Sequence, residues 1–270
     1  MLEIRQQIVE ELSKIEQEEE VRILYACESG SRAWGFPSKD SDYDVRFIYV
    51  RPESWYLSIF EKRDVIEHPI SGMLDINGWD LKKALNLFRK SNPPLLEWLQ
   101  SPIVYREIPD VTEQIRMISP LTFSPRSCIY HYLHMAKGNY REYLQGEQVK
   151  VKKYFYVLRP ILACFWIEKR GTMPPIEFER LADALVPEGS ELKAAIDDLL
   201  ARKRAGDEMD NEPRIDAINR FIEDSIAYYE QAASDTPSAD GDRGQLLDDL
   251  FRSTIKTVWG KGDASDGYFL

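Results

Sequence analysis

The apolar residues of this chain change period part-way along, and that change narrows the possible folds more than any other feature. Leu2, Ile4, Ile8, Leu12 and Ile15 mark an opening helical stripe, with Glu16 to Glu20 as its solvated end. Val21 to Ala26 is a short apolar run with β-branched and aromatic members, which predicts a buried strand. Turn-forming residues fill Glu28 to Ser41. Tyr43 to Val50 then alternates, with Tyr43, Val45 and Phe47 on one face and Asp42, Asp44 and Arg46 on the other. Val65-Ile66 and Met73 to Ile76 predict two more strands around a turn at Pro69–Gly72.

After Gly78 the period becomes helical. Leu81, Ala84, Leu85 and Phe88 predict a helix that starts near Asp80, an N-cap residue, and stops before Pro93. Beyond about residue 110 every strong pattern is helical: Ile129 to Leu144, Phe155 to Phe165 with a kink at Pro160, Ile196 to Leu200, and Ile215 to Ile226. Ser234 to Gly244 is small and polar and reads as a linker. Leu246 to Trp259 is a last amphipathic segment, followed by a loose tail. The expected fold class is therefore α+β: an N-terminal domain over residues 1–110 with a small mixed sheet flanked by helices, then an all-α helical domain over 111–233, with 234–270 as linker, C-terminal helix and tail.

Composition excludes some functions. The net charge is −11, from 46 acidic and 35 basic residues, which disfavours general duplex DNA binding. No apolar run reaches the roughly 18–20 residues of a membrane span, and the charged segment before residue 20 does not read as a secretory signal, so a cytoplasmic protein is expected. Cys27, Cys128 and Cys164 are too few for a disulfide framework and share no metal-ligand spacing.

The chemistry concentrates in residues 30–44. Asp42 and Asp44, two apart on a strand, point to the same face. Two adjacent carboxylates repel and favour a cation between them, and hard oxygen donors with spare water positions suit magnesium shared with phosphates. Gly30-Ser31 follows the first predicted strand; glycine lets backbone approach a ligand, and serine offers both N–H and O–H to a phosphate oxygen. Gly-Ser alone is an ordinary turn, and Asp-x-Asp alone an ordinary solvated strand face. In this order, on these strands, they form a phosphate cradle beside a metal seat.

Gly-Ser, ten residues, then Asp-x-Asp resembles the signature of the DNA polymerase β-type nucleotidyltransferases. The words ESGSRAWGF, SDYDVRFIY, INGWDL, SNPPLLEWLQSPIVY and KKYFYVLRP resemble the RNA-repair-associated, polymerase β-like group of bacteria and phages. The resemblance is strong over 23–50 and looser to about residue 170. It implies that Gly30 and Ser31 hold the β- and γ-phosphates of a nucleoside triphosphate, ATP by preference. It also implies that Asp42 and Asp44 bind Mg2+ or Mn2+, and that a third carboxylate on a neighbouring strand joins them. Asp75 is the first candidate for that place, Asp80 the second and Glu67 the third. The implied reaction is in-line attack of an acceptor hydroxyl on the α-phosphate, with loss of pyrophosphate.

Arg46 shares the carboxylate face and is either a phosphate contact or a structural partner of Asp44. Arg32 is either a triphosphate contact or a solvated loop charge. In this superfamily the helical domain closes one wall of the cleft, so Lys153 or Arg159, in a segment that also holds Lys150 and Lys152, is a candidate nucleotide contact. His131 and His134 read as ordinary surface or core histidines. Asn92 and Glu97 read as shaping a tight helix pair, and Trp34 is either core or a base platform. RNA, a protein or a small molecule remain open as acceptor, and a non-catalytic nucleotide sensor is the competing class.

Overall fold

The structure is a computed structural model that describes residues 2–68, 72–207, 209–232 and 244–260. The chain opens with helix α1 (Leu2–Glu18), strand β1 (Arg22–Glu28), a short helix α2 (Gly30–Ala33), strand β2 (Tyr43–Val50) and a short helix α3 (Glu53–Tyr56). Strands β3 (Val65–Glu67) and β4 (Leu74–Asp80) follow, then helices α4 (Leu81–Arg89) and α5 (Pro93–Trp98) and strand β5 (Val104–Glu107). Next come α6 (Pro109–Thr122), α7 (Pro125–Tyr143), β6 (Gln148–Lys150), a 3-10 turn (Val151–Lys153) and α8 (Tyr154–Arg170). The chain continues with α9 (Phe178–Leu185), α10 (Glu191–Ala205), β7 (Asn211–Pro213), α11 (Asp216–Ala232) and α12 (Gly244–Trp259).

Five strands form one mixed sheet in the order β3-β4-β2-β1-β5, in which only β2 and β4 are parallel. One face packs on α1: Val45, Phe47 and Tyr49 of β2 and Ile23 and Ala26 of β1 meet Ile8, Leu12 and Ile15. A bulge between Ile23 and Tyr25 breaks the alternation of β1 and turns both Leu24 and Tyr25 to the opposite face. There they join Ile48 and Val50 in a cluster that also takes in Leu85 and Phe88 of α4, Ile129 and Tyr132 of α7, Cys164 of α8 and Leu250 of α12. This cluster crosses residue 110, so sheet and helices share one core. A second cluster gathers α8 to α11 and includes Phe36, whose ring stacks on Phe155 at 4.5 Å. The segment after the Gly-Ser turn is thereby anchored in the helical half.

The mixed sheet and the helical remainder agree with the expected α+β class, and several local features refine the sequence reading. The strand expected at Met73–Ile76 runs on to Asp80, because Gly78 belongs to the ladder opposite Phe47. A Cβ at Gly78 would stand 2.1 Å from the Phe47 ring, so the glycine marks a close approach rather than a strand end. The helical half contains one short antiparallel ladder, β6 with β7. These three-residue strands are too short to show a period. Asp80 caps α4, accepting from the Lys82 N–H at 2.8 Å. The linker at 234–243, the tail at 261–270 and positions 69–71 of the expected turn lie outside the described residues. Among the described residues no helix is long and apolar enough to cross a membrane. The three cysteines are buried and unpaired.

Candidate active site

The Gly-Ser turn reaches the carboxylates directly. Ser29 donates its N–H to the Asp44 carbonyl at 2.8 Å, which draws the start of α2 against the start of β2. Gly30 takes φ +58°, and a Cβ there would lie 2.0 Å from Asp44 Oδ2. Only glycine combines that backbone with that proximity. The Asp44 N–H donates at 2.8 Å to Glu28, a fully buried carboxylate that also accepts from the Tyr105 hydroxyl. Burial pushes the Glu28 carboxyl up, against the pull of these two hydrogen bonds.

Asp75 stands opposite Asp44 in the parallel ladder of β2 and β4. Arg46 lies between them: its Nη2 donates to Asp75 Oδ2 at 2.7 Å and to Asp44 Oδ1 at 3.2 Å. Its Nη1 donates to the backbone carbonyls of Val45 at 3.0 Å and Asp75 at 3.1 Å. The Asp44 carboxyl is raised, first by burial; Arg46 opposes this, while the neighbouring Asp75 and Asp42 add to it. Asp80, by contrast, caps α4 and accepts from the Tyr56 hydroxyl at 2.7 Å. It lies five positions along β4 from Asp75, roughly 17 Å at strand rise. Glu67 pairs with Arg63 and with the Asn77 amide at 3.3 Å. Of the three candidates for the third carboxylate, only Asp75 adjoins Asp44.

Ser31, Asp42 and Asp44 line a cleft with Ser41 from the sheet half, closed on the far side by Lys152, Phe155, Tyr156 and Lys203, with Trp34 and Phe36 between. Lys203, on α10, is nearly buried and donates to Ser38 Oγ at 2.9 Å and Ser41 Oγ at 3.4 Å. Burial lowers its pKa, and the neighbouring Lys152 lowers it further. The β6–β7 ladder explains the convergence. It continues into bonds from the Val151 N–H to Asp210 and the Lys152 N–H to Met209, each 3.0 Å, tying the start of α8 to the segment after α10.

The basic residues named from sequence sit differently. Lys153 is not among the residues that line the cleft, and its ammonium lies 4.5 and 4.6 Å from the Tyr143 and Tyr156 ring centroids. Arg32 donates to the carbonyls of Ser41 at 2.7 Å and Asp42 at 3.0 Å and stacks 3.7 Å over Tyr43. Its guanidinium braces the loop that presents Asp42. Arg159 is 2% exposed and bonds Glu97 at 2.5 Å, while the Tyr132 hydroxyl donates to the same Glu97 oxygen at 2.7 Å. Arg159 also lies 5.1 Å from the Trp34 ring, so it backs the cleft wall. His131 and His134 are exposed on α7.

Sequence reasoning missed Glu28, Lys203 and Tyr156. Glu28 and Tyr156 lie inside the words that carried the resemblance. Lys203 had no local signal at all.

The donors at Asp42 and Asp44, hard carboxylate oxygens crowded in a partly buried cleft, fit one divalent cation with positions left for phosphate and water. Among the described residues no group of three His, Cys, Asp or Glu side chains is arranged to hold a metal alone.

The sequence profile described as RNA repair pathway DNA polymerase beta family (RlaP) matches residues 4–253. The chain belongs to this family. It is 55% identical over 259 residues to YcgL of Bacillus subtilis (strain 168), covering 96% of this chain and 99% of that one. A crystal structure of a nucleotidyltransferase-like protein from Exiguobacterium sibiricum 255-15 aligns over 94% of this chain and 89% of its own, at 11% identity and a TM-score of 0.31. That likeness is too weak to carry an argument. Membership of the RNA repair pathway DNA polymerase beta family supports a nucleotidyltransferase role in general and, with it, a nucleoside triphosphate substrate.

Proposed function

We propose that the protein transfers a nucleoside monophosphate, AMP from ATP by preference, to an acceptor hydroxyl and releases pyrophosphate. The observation that carries this reading is the convergence of Ser31, Asp42 and Asp44 with Lys152 and Lys203 across one cleft. Two lysines facing two carboxylates, with a serine at the turn, suit an anion that arrives with its own divalent cation.

In this reading the Gly30-Ser31 turn and the two lysines bind the β- and γ-phosphates. Asp42 and Asp44 would hold Mg2+ or Mn2+, which when bound would supply charge neutralisation at the phosphate oxygens. Asp75 stands on the acceptor side and takes the hydroxyl proton as the acceptor oxygen bonds to the α-phosphorus. The bond from that phosphorus to the β-phosphate bridge breaks, and pyrophosphate leaves with its charge held by Lys152, Lys203 and Ser31. Trp34 and Tyr156, edge to face at 5.5 Å, form the apolar wall on which a base packs.

The cleft holds about 50 Å³, room for little more than a phosphate group, whereas small-molecule sites span roughly 300–1,000 Å³. In this reading nucleotide entry therefore needs the cleft to widen.

The family description favours an RNA end as acceptor. Incubation with each α-labelled nucleoside triphosphate and Mg2+ or Mn2+, with separate pools of RNA, protein and metabolites, tests the reading. Label in RNA supports it; label in protein or metabolite moves the acceptor but keeps the chemistry. Nucleotide binding with no transfer to any pool leaves a nucleotide sensor.

A further inference from the structure

We propose that this site takes a single divalent cation, at Asp42 and Asp44, and that the Arg46 guanidinium stands where a second would sit. The inference rests on the nucleotidyl-transfer reading above and concerns how that site balances its charge.

The geometry is specific to Arg46. Its side chain leaves β2 on the side of Asp44 and meets Asp75 on the adjoining strand. The guanidinium meets four acceptors: two carboxylate oxygens, one each from Asp44 and Asp75, and two backbone carbonyls, Val45 and Asp75. The carbonyls matter most. A side chain paired only to carboxylates can swing away when a stronger cation arrives. One that is also bonded to the backbone of both strands is positioned by the sheet, since β2 and β4 cannot part without losing the ladder. Its planar fork is what permits the four bonds, and a lysine ammonium could not make them in one plane.

The position is also the one a second cation would need. That ion would lie between Asp44 and Asp75, and Arg46 Nη2 already bridges those two carboxylates, at 3.2 and 2.7 Å. Two cations cannot share the point. No group of three acidic or imidazole side chains among the described residues offers another seat. Asp42 and Asp44 keep the cleft-facing oxygens for the cation that enters with the triphosphate.

Counting metal tests the proposal without reference to activity. The full chain is dialysed against Mn2+ with a saturating non-hydrolysable triphosphate, and Mn2+ and nucleotide bound per chain are both measured. Paramagnetic resonance of the same samples reads whether two ions lie at about 3.5–4 Å, the spacing of two-metal sites. One Mn2+ per bound nucleotide and no coupled spectrum is expected for the wild type. Arg46→Gln should admit a second Mn2+ and show coupling, and Arg46→Gln combined with Asp75→Asn should return to one. Two coupled Mn2+ ions in the wild type would overturn the proposal while leaving the transfer reading intact, and this holds even if the variants do not fold. A folded Arg46→Gln protein that still binds one would overturn Arg46 as the occupant. No nucleotide-dependent Mn2+ in the wild type would remove the transfer reading and this proposal together.

Discussion

Gly30 and Asp44 touch through an atom that is missing: the Cβ that any other residue would carry at position 30 falls 2.0 Å from Asp44 Oδ2. The Gly30-Ser31 turn and the Asp44 carboxylate are therefore built as one unit. Gly30→Ala should cost about 1–3 kcal/mol from its left-handed backbone alone and should also displace the Asp44 side chain. Gly72, at φ +61° with open space around it, is the matched control. Gly72→Ala should show the backbone cost and keep transfer activity, whereas Gly30→Ala should lose it. Thermal melts and labelled transfer on both variants check this; equal activity in the two would separate Gly30 from the site.

Asp42→Asn and Asp44→Asn should each abolish transfer in a folded protein. Each keeps the shape of the side chain and removes a charge from a crowded apo site. In the wild type, Mg2+ should raise the melting temperature much more with a non-hydrolysable triphosphate than without, because phosphate oxygens complete a shell that two carboxylates leave open. The same melts on the two variants should show that cooperation lost.

Lys152→Met and Lys203→Met should each weaken triphosphate binding about tenfold or more, the scale of one hydrogen bond to a charged group. Lys153→Met should weaken binding less than either, since its ammonium lies against the Tyr143 and Tyr156 rings and Lys153 is not itself among the cleft-lining residues. Calorimetric titration of the three variants decides which lysine faces the phosphates.

Asp75→Ala should lower turnover by orders of magnitude with little change in triphosphate affinity, the pattern of an interaction made mainly in the transition state. Asp80→Asn should retain transfer and change stability with pH. Burial raises the Asp80 carboxyl above its ordinary 3.8, so the folded protein holds that proton more tightly than the unfolded chain. Stability from this group therefore falls as pH rises from 3.8 through the folded value. The asparagine cannot titrate and still caps α4. Urea unfolding should show the variant gaining on the wild type with rising pH across that window; a pH-independent difference would remove Asp80 titration as its source.

Arg159→Met should destabilise the protein by about 3–5 kcal/mol, because Glu97 is then left buried beside Tyr132 without its cation. Arg159→Met with Glu97→Gln should cost less than the two single changes added. Urea unfolding of the three variants measures that coupling.

Much of the cleft was legible locally. The spacing from Gly30-Ser31 to Asp42 and Asp44 put a turn and a carboxylate pair at the ends of neighbouring strands, and Asp80 announced itself as a helix cap. Separating Asp75 from Asp80 and Glu67 needs more than local pattern, because each lies in or beside one of two short predicted strands and only pairing register distinguishes them. Lys153 is absent from the cleft lining. It is adjacent to Lys152, and the 3-10 turn at Val151–Lys153 rotates successive side chains apart in a way that a helical reading of the segment does not anticipate.

By itself, the sequence determined the features that near neighbours along the chain can set: the switch from strand to helical period, the cap at Asp80, and the Gly-Ser and Asp-x-Asp units. These are legible because dihedral preference and side-chain period act over a few residues. Only the tertiary structure decided that Asp75 stands beside Asp44, that Arg46 bridges them, and that Lys203 reaches Ser38 and Ser41 from 162 to 165 positions away. Those relations depend on strand register and on a three-residue ladder joining β6 to β7, which bring together residues with no local preference for one another. Burial then sets their charge: the same Lys203 that would be an ordinary solvated ammonium on an exposed helix has its pKa lowered in the closed cleft because water is excluded around it.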